Sequence, residues 1–144
     1  MIVKQIYTQC LAQASYYIES DGESVVIDPI RDIDSYVSLL DINNSKLKFI
    51  LETHFHADFI SGHLELNKKY GVPIIFSHYA EPAYNFLGKK DGEIIEVGKV
   101  KIKIIHTPGH TLESVCYLLI DENGDDYAYL LVTHYLLGTL VYPM

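Results

Sequence analysis

The chain has 144 residues, 49% of them hydrophobic and 21% charged, with a formal net charge of −8. That length supports one domain with a real core and is too short for two, and the balance excludes a disordered polymer. The charge excludes a nucleic-acid partner, because no basic stripe is present to neutralise phosphates; the pairs Lys68-Lys69 and Lys89-Lys90 are isolated and expected on solvated faces.

The first ten residues lack the apolar stretch and small-residue cleavage site of a secretory signal, and no run approaches the ~20 apolar residues that span a bilayer. A soluble, cytoplasmic protein is expected. Strand-like runs occupy residues 2–7, 15–19 and 24–28, the last two divided by the hairpin turn Asp21-Gly22. Asp32 or Asp34 is placed to cap a short helix through Leu40, with Ile33, Tyr36, Val37 and Leu40 at helical spacing. A buried strand over 49–52 leads into a His-rich loop. A helix over 61–70 follows, ended by Gly71 and then Pro73, with a strand over 74–77. Strands over 93–97 and 100–105 flank Gly98-Lys99, and strands over 115–120 and 127–132 flank a turn over 121–126. Strands outnumber helices yet are punctuated by them, which predicts a mixed α/β layered domain. The twelve tyrosines read as strand and core residues. Cys10 and Cys116 fit no metal-ribbon spacing; they form either a disulfide or two reduced thiols, the latter being expected in a cytoplasmic protein.

Chemistry concentrates in two segments that each follow a predicted strand. In Thr53-His54-Phe55-His56-Ala57-Asp58, two imidazoles two residues apart can point at one ion, with Asp58 as a third ligand or as an acceptor fixing a ligand's ring. In His106-Thr107-Pro108-Gly109-His110-Thr111, Pro108 and Gly109 make a tight loop that presents His110. Either segment alone is weak; together they predict a site holding zinc or iron through His54, His56, His110 and Asp58. His63, His78 and His106 have no partner at ligand spacing and are expected in structural or surface roles.

These motifs resemble the metallo-β-lactamase superfamily, and within it the persulfide dioxygenase branch related to glyoxalase II. The likeness extends to Gln13-Ala14-Ser15-Tyr16, Val26-Ile27-Asp28-Pro29 with Arg31-Asp32, Glu52-Thr53 before the first histidines, Phe59 after Asp58, and Gly109-His110-Thr111-Leu112-Glu113-Ser114. It covers residues 1–128. The resemblance implies the N-terminal portion of an αββα sandwich. It also implies one Fe(II), with zinc as the alternative, and oxidation of glutathione persulfide or a similar persulfide to sulfite and thiol. Two-zinc members carry a second-site His where this chain has Phe59, which cannot ligate. A glyoxalase II-like hydrolase acting on a thioester is the alternative activity, and a non-catalytic remnant is the third reading. The implied partner is a small-molecule persulfide or thioester, with no membrane; a homo-oligomer stays open.

The pattern breaks after Asp126, beyond which there is no Asp or Glu. The family's carboxylate ligand belongs to a later segment resembling Thr-Gly-Asp-Thr-Leu-Phe-Ile-Gly-Asp-Val-Gly-Arg-Pro-Asp. The codons permitted by residues 131–144, read from the third base of each, include that segment apart from the Arg. A single-base gain or loss near residues 128–130 is thus expected. Residues 1–128 then form the metallo-β-lactamase-like domain, and residues 129–144 an aberrant, out-of-frame tail on a truncated chain. His134 lies close to the lost Asp position. Three consequences are expected: weak iron binding, little or no dioxygenase activity, and an inner face of the first sheet left bare for want of its partner layer.

Overall fold

A computed structural model describes residues 1–8, 13–55, 61–109, 111–130 and 140–141. The chain opens as an antiparallel meander of β1 (Ile2–Thr8), β2 (Gln13–Ser20) and β3 (Glu23–Ile27). Asp21 (φ 51°) and Gly22 (φ 79°) both take the left-handed backbone that a two-residue hairpin requires, which is why Asp-Gly stands there. Two crossovers follow, through α1 (Asp34–Ile42) to β4 (Lys46–Leu51) and through α2 (His63–Tyr70) to β5 (Ile74–Ser77). Both return parallel to the strand before, and β6 (Leu87–Lys89) continues the parallel run, completing a six-stranded sheet in the order β1-β2-β3-β4-β5-β6. The rest pairs antiparallel as β7 (Ile94–Val97), β8 (Val100–His106), β9 (Val115–Ile120), β10 (Asp126–Leu130) and β11 (Leu140–Val141).

Strand alternation builds two cores on one sheet. Tyr16, Ile18, Val25, Ile27, Leu51 and Ile75 point toward the second sheet and pack with Val97, Ile102, Tyr117 and Leu119. Their neighbours Tyr17, Val26, Ile50, Ile74 and Phe76 point the other way and pack against Tyr36 and Leu40 of α1 and Leu66 of α2. Strands covered on both faces read as continuous apolar runs, which explains Ser24-Val25-Val26-Ile27 and Ile74-Ile75-Phe76. Burying each such side chain contributes about 1.5–3 kcal/mol. The layers are thus helices, mixed sheet, antiparallel sheet: part of an αββα sandwich.

This corrects one expectation. The inner face of the first sheet is not bare, because residues 94–130 already supply four strands of a facing sheet. Smaller differences have local causes. Helix α1 runs two residues past Leu40, and its N-cap is Ile33 without a side-chain cap bond; Asp32 instead accepts the Asp34 N–H at 3.2 Å. β6, a Leu-Gly-Lys edge, carried no strand pattern. β11 falls in residues 129–144 and pairs with β10 through Leu130↔Leu140 and Tyr129↔Val141. Cys116 is a free, buried thiol, and Cys10 lies outside the described residues. No helix among the described residues is long and apolar enough to cross a membrane.

Candidate metal centre

The chemistry-bearing residues gather where β3 and β4 end. Parallel pairing brings these ends together: Asp28 N–H donates to Leu51 O (2.9 Å) and Glu52 N–H to Ile75 O (3.0 Å), after which the chain leaves the sheet. Asp28 is fully buried and sits at φ 49°, a left-handed backbone that Asp tolerates better than most residues and that costs an ordinary side chain roughly 1–2 kcal/mol. The bend sets its carboxylate under Thr53, where it accepts the Thr53 N–H at 2.8 Å and the Thr53 hydroxyl at 2.7 Å.

That geometry decides the proton on His54. An ionised carboxylate only accepts, so the Thr53 hydroxyl hydrogen is committed to Asp28. The Thr53 oxygen therefore acts as acceptor in its 2.9 Å contact with His54 Nδ1, and the Nδ1 carries the proton. In the neutral ring the lone pair is then on Nε2, which is the nitrogen left available to coordinate an ion. A hydroxyl relay to a buried carboxylate thus orients His54, which is itself only 3% exposed.

The second segment is stitched to the first. Val115 N–H donates to Thr53 O (2.8 Å), and the buried Tyr117 hydroxyl donates to Glu52 O (2.6 Å). Glu113 Oε1 accepts the Phe55 N–H at 3.1 Å. Burial pushes the Glu113 carboxyl up, but hydrogen bonds, first that from Phe55, outweigh it and leave Glu113 below the usual carboxylate range. Tyr117 is raised well above the ordinary phenol value by burial, then by Asp28, Glu52 and Cys116, so it keeps the proton it donates. Within the loop, His106 Nε2 lies 2.9 Å from Leu112 O; a carbonyl only accepts, so His106 donates and clasps the loop across its base. Thr107 N–H to Ser114 O (3.0 Å) and the Thr111–Ser114 hydroxyl pair (2.6 Å) hold it further. Tyr79 stacks on the His106 ring at 4.7 Å.

Of the four residues singled out as metal ligands, His54 is placed at this strand end, while His56, Asp58 and His110 lie outside the described residues, as does Phe59. Among the described residues no cluster of three or more His, Cys, Asp or Glu is in place for a metal. The donor chemistry of His54, with its relay and its Nε2 lone pair, fits a transition ion such as zinc or iron.

Sequence reasoning missed several contributors. His54 borders a cleft of about 360 Å³ whose other polar lining includes Glu52, Ser61 and His63. His63, expected to be structural or on the surface, opens α2 with its Nδ1 3.1 Å from Glu52 Oε1. The Ser61 hydroxyl donates to the same Glu52 oxygen at 2.7 Å. This corner is positioned from a distance: Tyr36 of α1 accepts the Ile30 N–H, and Ile30 bridges to Ser61. Gly62 then packs so tightly that a Cβ there would lie 2.1 Å from Ile30 O. In the sequence Asp28 and Glu52 stood out only as carboxylates at the ends of expected strands and as part of the family resemblance, with no role attached to either.

Comparison with known proteins agrees with this architecture. Residues 8–124 match the family model of the metallo-beta-lactamase superfamily. The hydroxyacylglutathione hydrolase of Rhodopseudomonas palustris is 34% identical over 107 residues, 73% of this chain and 42% of that protein. Its counterpart in Nitrobacter winogradskyi is 36% identical over 103 residues, 70% and 40% of the two chains; this chain thus spans less than half the length of these curated relatives. Among solved structures, a metallo-beta-lactamase from Staphylococcus aureus superposes with a TM-score of 0.80 at 37% identity, covering 90% of this chain and 41% of the other. ETHE1 from Myxococcus xanthus does so with 0.76 at 26% identity, covering 83% and 54%. The family model spans most of the chain, and the superposed structures share its layered sheets: the chain belongs to the metallo-beta-lactamase superfamily.

Proposed function

We propose that the cleft beside His54 is half of a mononuclear metal centre that acts on a small persulfide, with His54, His56, His110 and Asp58 as donors. The observation that carries this reading is the Asp28–Thr53–His54 relay, because such support fixes the tautomer and ring orientation that a ligating imidazole needs. The stitching of residues 52–55 to residues 113–117 supports it further, since these segments carry or adjoin the two histidine motifs. Phe59 at the position of a second-ion donor favours one ion over two. Fe(II) is the metal of this reading and zinc the alternative. When bound, the ion supplies Lewis acidity and open positions for substrate and dioxygen. The chain's own residues fix the His54 ring through Thr53, hold the β8–β9 loop through His106 and Glu113, and wall the cleft with apolar side chains.

A second reading is favoured by the curated relatives, whose name specifies hydrolysis of a hydroxyacylglutathione. There a metal-bound water would attack a thioester carbonyl. Anaerobic iron and zinc loading, followed by persulfide-dependent oxygen uptake and hydrolysis of an acylglutathione, separates the two. Oxygen uptake that disappears in His54→Ala supports the dioxygenase; thioester cleavage without oxygen uptake replaces it with the hydrolase. Metal binding unchanged by His54→Ala would sink both.

A further inference from the structure

The His63 corner of the cleft is unexplained by metal ligation. The side chain is 13% exposed, and neither ring nitrogen completes a hydrogen bond among the described residues, although Nδ1 lies 3.1 Å from Glu52 Oε1. A buried donor or acceptor left unmet is destabilising, and native structures hold few of them. Glu52 does not require this imidazole as its hydrogen-bond donor, because the Ser61 hydroxyl already donates to the same oxygen. Nor is the ring filling an apolar gap out of reach: it borders the cleft shared with His54.

The surroundings indicate what His63 would meet. The Tyr84 ring lies 5.0 Å from the His63 ring and the Phe76 ring 6.2 Å, edge-on, while Phe55 packs against Phe76 at 4.9 Å. With Leu64 and Pro82 they make most of the wall apolar and aromatic. Polarizable sulfur is favoured beside aromatic rings, and a small number of polar groups in such a wall fixes a ligand's orientation.

We infer that His63 is a substrate-contacting residue, its Nε2 hydrogen-bonding the terminal sulfur of a thiol or persulfide that lies against this aromatic wall. The choice of a sulfur ligand rests on the persulfide reading above; the contact itself rests on the unmet imidazole. Glu52 and Ser61 act as positioning residues, holding the ring from its Nδ1 side.

The test uses the full chain without metal and thiosulfate as the probe, a stable anion with a terminal sulfur. Long-range nitrogen–proton NMR of the histidine rings should show a saturable shift of the His63 Nε2 signal. His63→Phe should weaken thiosulfate binding at least tenfold while the urea midpoint stays level or rises, because an unmet polar group has been removed. His63→Gln, whose amide reaches toward the Nε2 position, should recover part of the affinity. Sulfate, equal in charge but without terminal sulfur, should bind at least tenfold more weakly than thiosulfate. An unmoved His63 signal, equal binding of sulfate, or wild-type affinity in the Phe variant overturns the inference. If the Phe variant fails to fold, His63→Asn decides, since its amide is too short to reach, and wild-type affinity there is equally fatal. Thiosulfate binding without metal uptake leaves this contact standing and removes the metal reading; metal uptake with a silent His63 does the reverse.

Discussion

The two ends of the sandwich are built on opposite principles. At the end away from His54 the sheets are locked by short turns. Ser20, fully buried on β2, donates to Glu122 Oε1 at 2.9 Å and accepts the Lys99 N–H at 3.2 Å. Gly98 N–H donates to Glu23 Oε2 at 2.8 Å, and the N-terminal ammonium lies 3.2 Å from Glu122. Gly98 holds Glu23 below the ordinary carboxylate range, and the Ser20 hydroxyl and the N-terminus do the same for Glu122. At the other end the chain leaves the sheets through longer segments whose polar groups point at one another and into a cleft. Closure at one end tolerates openness at the other, so stability and ligation should be separable by mutation.

The largest effect should come from the locked end. A Cβ on Gly98 would lie 2.0 Å from Ser20 O, and the residue sits at φ 56°. Gly98→Ala is therefore expected to cost about 3 kcal/mol, combining left-handed strain with overpacking against backbone. Urea unfolding measures it, and metal affinity per folded molecule should stay unchanged; a loss under 1 kcal/mol would show that the turn is free to shift. Next is the open end. Thr53→Val keeps the side-chain shape and removes the relay, so zinc or iron affinity should fall about 10–100-fold, while Thr53→Ser should keep it. Equal affinities for Val and Ser variants in a competition titration would disconnect the relay from ligation.

The smallest effect concerns neither end but the strand between them. Burial pushes the Cys116 thiol from 9.0 up to about 11. A group that must stay protonated when folded contributes stability that is complete below pH 9.0 and lost as pH rises through about 11. Unfolding free energy should therefore drop by on the order of 1–2 kcal/mol between roughly pH 8.5 and 10.5. Cys116→Ala should remove that part of the slope, and an identical slope in the variant would count against it.

Much of the fold was legible because it is local. β5 and β9 occupy the residues that their apolar runs predicted, the Asp21-Gly22 hairpin follows from its turn chemistry, and α2 ends at Gly71 with φ 67°. β6 was invisible because a three-residue edge strand containing Gly88 has no alternation to detect. The facing of the second sheet was lost for a different reason: strand positions do not say which faces meet. Within the candidate site, His54 was singled out by motif spacing. Asp28 and Glu113 were not, since they act across 25 and 58 residues of sequence, a separation that only the parallel β3–β4 pairing and the β9 register close. The pairing of His63 with Glu52 could not be read from the sequence, because the two lie in different elements with nothing in the spacing to join them.

The left-handed backbone at Asp28 narrows what evolution or engineering can place there. Asparagine is the natural substitute for that conformation, yet its amide nitrogen would donate to the Thr53 oxygen instead of accepting from it. The hydroxyl hydrogen would then turn toward His54 Nδ1, the imidazole would switch tautomers, and the lone pair would move from Nε2 to Nδ1. A near-isosteric exchange would thus run the proton wire backwards and leave the fold intact around a histidine whose Nε2 no longer offers a lone pair.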